Sequence, residues 1–182
     1  GPSVRPQDIM ILINSRKHLP DLVDRLRARH IPVMADRQGL LLMQPVVQPL
    51  MAVLALMAHP AMRKAAVELA RSPVVGMTER QVHEALLSLE EGAPAIPHLI
   101  QHAPTEGVQQ LLIRLQRLMQ WGAVYDVFDA VLDESDLLVA HPDDAQRQFA
   151  EAWLTIVQSI GNDTGHDAGA VSRRMVEIRE LG

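Results

Sequence analysis

Two histidines stand four positions apart in this 182-residue chain, at His98 and His102. At that spacing two imidazoles share one face of a helix, as metal ligands on a helix do. Zinc sites normally group three or four ligands, and no third ligand lies near this pair in the sequence. Pro97 and Pro104 also limit how regular a helix can be here. We therefore predict an ordinary pair of histidines and assign no metal-binding residue.

Acidic residues form the second group that could do chemistry. Asp126, Asp129 and Asp133 fall along one side of a predicted helix, where carboxylates could serve as acid or base. No second cluster opposes them, so we predict a solvated face. The run DESD at residues 133–136 resembles a metal-holding motif, but it follows a helix rather than a buried strand. We predict a solvated helix end there, and no catalytic residue is assigned.

The remaining motifs and the composition narrow the function further. The sequence contains no GxxxxGK[ST] phosphate loop, no GxSxG elbow and no HExxH pair. It has no cysteine, which rules out disulfides and thiolate metal sites and fits a reducing cytoplasm. No apolar run is long enough to span a bilayer. We expect a cytoplasmic chain with no cofactor of its own and no membrane partner.

Charge and aromatic content argue against an independent nucleic-acid binder. The net charge is −5, whereas such proteins usually carry a basic excess, and only 3% of residues are aromatic. One local basic group stands out, Ser15, Arg16 and Lys17, at the C-terminal end of the first predicted strand. Open α/β sheets bind ligands at that edge. We predict these three as nucleic-acid-binding residues, with a plain polar connection as the alternative.

The elements that would position these residues divide unevenly along the chain. Residues 9–13 form a continuous apolar run typical of a buried strand, and 18–29 follow as an amphipathic helix. Residues 31–34 predict a second short strand, with a turn over 36–39. Together they predict a β-α-β unit.

From Pro45 onward the pattern is helical. Thr78 is expected to cap one helix, and the negative charge of Glu79 in its first turn interacts favourably with the helix dipole. A helical turn is expected over 98–102. Residues 161–169 predict a polar loop. The other predicted helices cover residues 45–58, 61–71, 105–121, 125–132, 144–160 and 171–181. The predicted class is mainly α, a helical bundle-like subdomain (45–182) with a small α/β appendage (4–44). Residues 1–3 look like a cleavage scar from an expression tag.

Several stretches resemble one family. Residues 8–36, DIMILINSRKHLPDLVDRLRARHIPVMAD, are similar to a segment of UvrD/RecB-type superfamily 1 DNA helicases in which a strand such as DIAVLVRSR precedes a helix and a second strand. Residues 44–82 resemble the segment that follows in the family, most tellingly in RSPVVG (71–76) and in His59-Pro60. RQFAEAWL (147–154) resembles a helix of the family's helical insertion.

The resemblance implies a fragment that begins late in the second RecA-like motor lobe and continues into its helical insertion. Asp36, where the UvrD/Rep branch usually carries Gly-Gly, favours the AddA/RecB helicase–nuclease branch. The parent would use ATP and magnesium in repair or recombination, with its ATPase motifs and any nuclease elsewhere in the chain. Its helical arm would contact duplex DNA or a partner subunit.

Two departures accompany the resemblance: Asn14 replaces a common arginine, and His30 a favoured glycine. Two alternatives remain open beside it. One is a helical protein–protein interaction module of a regulator. The other is a small metal-dependent hydrolase built on His98, His102, Asp126 and Asp129.

Overall fold

The computed structural model describes residues 41–87 and 89–181, together with Leu22, Arg25, Leu26, Ala28, Arg29 and Ile31. The chain divides into two compact units, Gly1–Arg37 and Gln38–Gly182.

In the first unit, Leu22, Arg25 and Leu26 are helical, in agreement with the helix predicted over 18–29. The Leu26 carbonyl accepts the backbone N–H groups of Arg29 and Ile31, both at 3.0 Å. Ile31 lies in neither helix nor strand. The predicted strand over 9–13, the rest of the one over 31–34 and the turn over 36–39 lie outside the described residues. The β-α-β appendage therefore stays a prediction.

All regular secondary structure among the described residues of the second unit is helical, which confirms the mainly α class. Helix α1 packs against α2, α8 and α9, while α5 lies between α4 and α6, and α8 packs against α6 and α9. None of the described helices is long and apolar enough to cross a membrane. The helices are α1 Val47–Ala58, α2 Arg63–Arg71, α3 Glu79–Leu87, α4 Ala95–Gln101, α5 Glu106–Trp121, α6 Val124–Glu134, α7 Leu137–Ala140, α8 Asp144–Thr164 and α9 Ala168–Leu181.

Helix α1 is buried on most sides, as its sequence predicts. Val47, Leu50, Val53 and Leu54 are inaccessible to solvent, and a helix that is apolar nearly all round has to be covered by others. Pro49 lies in the first turn, where the N–H group that proline lacks has no partner within the helix. The sequence therefore predicts both the burial of α1 and its start to within two residues.

Helices α2 and α3 belong to a segment whose two ends lie side by side. The backbone N–H of Ala95, the first residue of α4, donates to the carbonyl of Pro60, just after α1, at 2.9 Å. Residues 61–94 thus leave and return at one point. Thr78 begins α3 with a capping box, because its hydroxyl and the Gln81 side chain each accept a backbone N–H of the other residue.

The loop predicted over 161–169 is wrong at both ends, since only residues 165–167 lie outside helices and α9 begins at Ala168 rather than at 171. Helix α8 continues through Thr164, because Gly161 lies on its buried face four residues after Val157 and eight after Trp153. Packing of this face outweighs the roughly 1 kcal/mol that a glycine costs a helix. The helix ends at Gly165, whose φ of 65° is left-handed and whose N–H donates to the Gly161 carbonyl.

Two further boundaries differ from the prediction. Helix α4 begins at Ala95 rather than at His98, so Pro97 lies inside its first turn, where proline is tolerated. The short helix α7 is not predicted. It is anchored by Leu137, which is completely buried.

Candidate functional site

The predicted basic group Ser15, Arg16 and Lys17 lies outside the described residues, and so do the two departures from the family pattern, Asn14 and His30. Their role stays a prediction.

One ring nitrogen of His102 lies against the backbone, and one of His98 lies in the protein interior. Nδ1 of His102 lies 2.9 Å from the carbonyl oxygen of His98. Nδ1 of His98 is buried and has no hydrogen-bond partner among the described residues. Within those same residues, no three His, Asp or Glu side chains gather in a group that could hold a metal ion. Metal analysis of the purified protein tests the hydrolase alternative, and stoichiometric zinc, iron or manganese would revive it.

The acidic residues of α6 are exposed, as predicted for a solvated face. The carboxylate of Asp126 accepts the backbone N–H of Ala123 at 3.1 Å, so this residue helps to begin the helix. At the other end of α6, Glu134 forms an ion pair with Arg114 of α5. The run at residues 133–136 is therefore a helix end, and the carboxylates of Asp126 and Glu134 serve local structure.

The segment RSPVVG, which carries much of the family resemblance, forms the connection from α2 to α3. Ser72 is buried: its hydroxyl donates to the Leu69 carbonyl at 2.7 Å and accepts the N–H of Val74 at 3.3 Å. Gly76 has a left-handed φ of 70°, and its N–H donates to the Ser72 carbonyl at 2.7 Å. These residues fix a tight turn, so their role here is to set how α3 returns along α2.

Polar contacts hold α2 and α3 together at both ends. The guanidinium of Arg63, at the start of α2, donates to the carbonyl of Leu86, near the end of α3. Arg71, at the end of α2, forms an ion pair with Glu79, at the start of α3. The two helices are therefore an antiparallel pair, called the α2–α3 hairpin below.

A shallow groove of about 440 Å³ lies along the α2–α3 hairpin. Its size falls within the range of ligand pockets, but it is open to solvent rather than enclosed. Its lining joins four apolar side chains, Val67, Val82, Leu86 and Leu87, to five polar ones, Arg63, Lys64, Arg71, Glu79 and His83.

The hairpin differs in charge from the unit around it. The unit Gln38–Gly182 contains ten Lys and Arg and 18 Asp and Glu residues, a net charge of −8. Helices α2 and α3 contribute four of those cations and only three of the anions, so they carry +1 and the remainder −9. A basic spot thus lies within an acidic unit.

Arg80 and Glu84 form an ion pair one turn apart on α3. Arg80 donates to Glu84 at 2.7 Å. This hydrogen bond, with the positive charge of Arg80 second, lowers the pKa of Glu84 below its ordinary 4.5. Lys64 is 84% exposed and lies 3.9 Å from Glu68, which leaves its ammonium open to other anions.

No protein-family model, curated protein or solved structure matches this chain.

Large apolar side chains are exposed at few described positions, and one of these lies in the groove. Leu87 is 64% exposed at the end of α3. Trp121, at the end of α5, is 89% exposed. The groove is not predicted from the sequence, in which α2 and α3 are two separate helices. The available signal was the surplus of cations in α2 together with leucines at positions 86 and 87.

Proposed function

We propose that this chain is a non-catalytic part of an ATP-dependent DNA helicase or helicase–nuclease of the UvrD/RecB type. In this proposal its helical unit is an arm that contacts a partner protein subunit. The family assignment is supported by the resemblance over residues 8–36 and 44–82. The connection 71–76 supports an architectural role for this part of the chain, because its side chains and backbone are used to join two helices.

The observation that favours a protein partner over duplex DNA is the net charge of −8 on Gln38–Gly182. Proteins gain affinity for DNA by neutralising phosphates with Lys and Arg, and an acidic surface is repelled by the same phosphates. The unit Gly1–Arg37 has seven Lys and Arg residues against four Asp and Glu. DNA contacts of the parent would therefore fall to this unit, with Ser15, Arg16 and Lys17 as the assigned residues.

A titration of the chain with a fluorescently labelled forked duplex tests this division of roles. We expect weak binding that weakens steeply between about 50 and 200 mM salt, as phosphate contacts do. Arg16→Glu combined with Lys17→Glu should abolish it, whereas Arg117→Glu, a charge reversal in α5 of the acidic unit, should leave it unchanged. Tight, salt-resistant binding, or a loss caused equally by Arg117→Glu, would contradict the proposal.

The coding sequence on either side of the segment tests the family assignment itself. We expect a GxxxxGK[ST] motif upstream and a helicase GLE motif downstream, and DNA-dependent ATP hydrolysis by the longer parent. A parent without the phosphate loop would overturn the assignment. The interaction module of an unrelated regulator would then be favoured, because the groove on the α2–α3 hairpin does not depend on a motor.

A further inference from the structure

We infer that the groove on the α2–α3 hairpin binds a short amphipathic helix of a partner protein, with leucine-like side chains on one face and Asp or Glu beside them. The inference rests on the proposed function only in placing this helix on a partner subunit. It adds the position of the contact and the chemistry of the partner.

The walls of the groove determine how a partner can bind. Both walls are helices, whose backbone groups are hydrogen-bonded within the helix, so no strand edge is offered for pairing. Recognition must therefore use side chains, as when an amphipathic helix lies in an apolar groove. Each wall has nine residues, about 13 Å at 1.5 Å per residue. A partner helix with anchors at positions i, i+4 and i+7 spans roughly 10 Å and fits this length.

The floor of the groove supplies the apolar contact. Val82 and Leu86 are buried and form its base, and Val67 is half-buried. Leu87 stands 64% exposed at one end. An exposed leucine and a half-buried valine thus line the same groove, and apolar side chains of a partner would remove their apolar surface from water.

The rim selects acidic partners. Lys64 is 84% exposed, His83 is exposed, and Arg71 is half exposed beside its partner Glu79. The acidic remainder of the unit repels anions only over short distances, because charges are screened within about 8–10 Å at physiological salt. A basic helix would be attracted to most of the unit's surface. An acidic one meets cations at the groove and repulsion elsewhere, which confines it to this site.

The same cations could in principle attract a nucleic acid. The lining, however, contains no Phe, Tyr or Trp, and single strands rely on aromatic side chains on which bases stack. Glu79 and Glu84 also lie on α3 and repel phosphates. These observations favour the acidic helix, and a nucleic acid becomes one outcome of the test.

The test uses the whole chain and a labelled synthetic helix of about 16 residues, with Leu at every third or fourth position and Glu beside each Leu. One matched peptide replaces every Glu by Lys, and a second replaces every Leu by Ser. Fluorescence anisotropy should give micromolar binding of the first peptide and at least about tenfold weaker binding of the others. Backbone amide shifts in NMR spectra should change in α2 and α3.

Four substitutions at exposed sites provide the matched comparison. Lys64→Glu and Leu87→Ser should each weaken binding of the Glu peptide about tenfold or more. Arg117→Glu reverses a positive charge on α5, and Val139→Ser replaces an exposed apolar side chain on α7. Both controls should leave binding of the Glu peptide unchanged. Circular dichroism and melting temperature will show that all four variants are folded.

Three results would overturn the inference: no binding of the Glu peptide, equal binding of the Lys peptide, or shift changes outside α2 and α3. Binding of a labelled duplex that Lys64→Glu abolishes, without peptide binding, would identify a nucleic-acid site instead. If the Glu peptide does not bind but a GxxxxGK[ST] motif lies upstream, the inference about the groove is wrong and the family assignment stands. If the Glu peptide binds but the parent lacks that motif, the family assignment is wrong and the inference about the groove stands.

Discussion

The ring of Phe128 meets that of Trp153 edge to face, with 4.5 Å between the ring centroids and 89° between the ring planes. Both side chains are fully buried, and they join α6 to α8. Pairs in this geometry contribute about 0.5–1.5 kcal/mol beyond the burial of their area. Nε1 of Trp153 has no hydrogen-bond partner among the described residues, so the pair is held by packing.

Replacing Phe128 by alanine should lower the free energy of unfolding by about 3–5 kcal/mol, because the ring leaves a cavity and Trp153 loses its edge contact. Urea denaturation followed by far-UV circular dichroism measures the change. Val139→Ala, at a position 74% exposed, should stay within about 0.5 kcal/mol of the wild type. A loss of similar size for both variants would show that Phe128 is not a packing centre.

The two tryptophans of the chain should behave oppositely in fluorescence. Trp121 is 89% exposed and Trp153 is fully buried, so acrylamide should quench the first and hardly reach the second. In Trp121→Phe we expect blue-shifted emission that resists quenching until the protein is unfolded in urea. In Trp153→Phe the remaining emission should be red-shifted and strongly quenched. Equal quenching of the two variants would contradict the burial of Trp153.

Two glycines predict opposite effects of the same substitution. Gly165 has a φ of 65°, which side chains with a Cβ atom disfavour, so Gly165→Ala should destabilise the chain by about 1–2 kcal/mol. Gly107 lies in the first turn of α5, and the nearest atom to an added Cβ would be 4.0 Å away. Gly107→Ala should therefore stabilise by roughly 0.5–1 kcal/mol. Thermal and urea melts of both variants measure the two changes in stability. Changes of the same sign in the two variants would contradict the prediction.

Two threonines separate capping from helix propensity. Thr105 begins α5, and its side chain accepts the backbone N–H of Val108. Thr105→Ala should therefore cost about 1 kcal/mol in the free energy of unfolding. Thr155 is exposed within α8 and bonds only to the Glu151 carbonyl one turn earlier. Thr155→Ala should be neutral or slightly stabilising, since alanine is the better helix former. Equal losses would exclude a capping role for Thr105.

The pairing of Arg80 with Glu84 predicts a dependence on pH. Because the folded pKa of Glu84 lies below its ordinary 4.5, the ion pair adds stability above that pH and loses it as the pH falls through the folded pKa. An NMR titration of the Glu84 carboxyl should show the lowered pKa in the wild type and a rise in Arg80→Gln. Arg117→Gln should not affect it. Identical titration curves for wild type and Arg80→Gln would refute the contact.

Local sequence signals account for much of the helical unit. The apolar character of α1 and the cap at Thr78 are each contained in a few neighbouring residues, and both helices form close to where these signals predict. The continuation of α8 past Gly161 is not readable in this way, because it depends on packing that buries Gly161. The groove depends on Arg63 reaching Leu86, 23 positions away. No window of neighbouring residues contains that relationship.

The hydrogen bond from Ala95 to Pro60 has a practical consequence for the history and engineering of this chain. Since the entry and exit of residues 61–94 already touch, the length of this segment, called the cassette, can change without moving the backbone on either side. Changes in the cassette are expected on its solvent-facing side, because α2 also packs against α1 and covers part of its buried surface. Recognition could then diversify in the cassette while the scaffold around α1 stays constant.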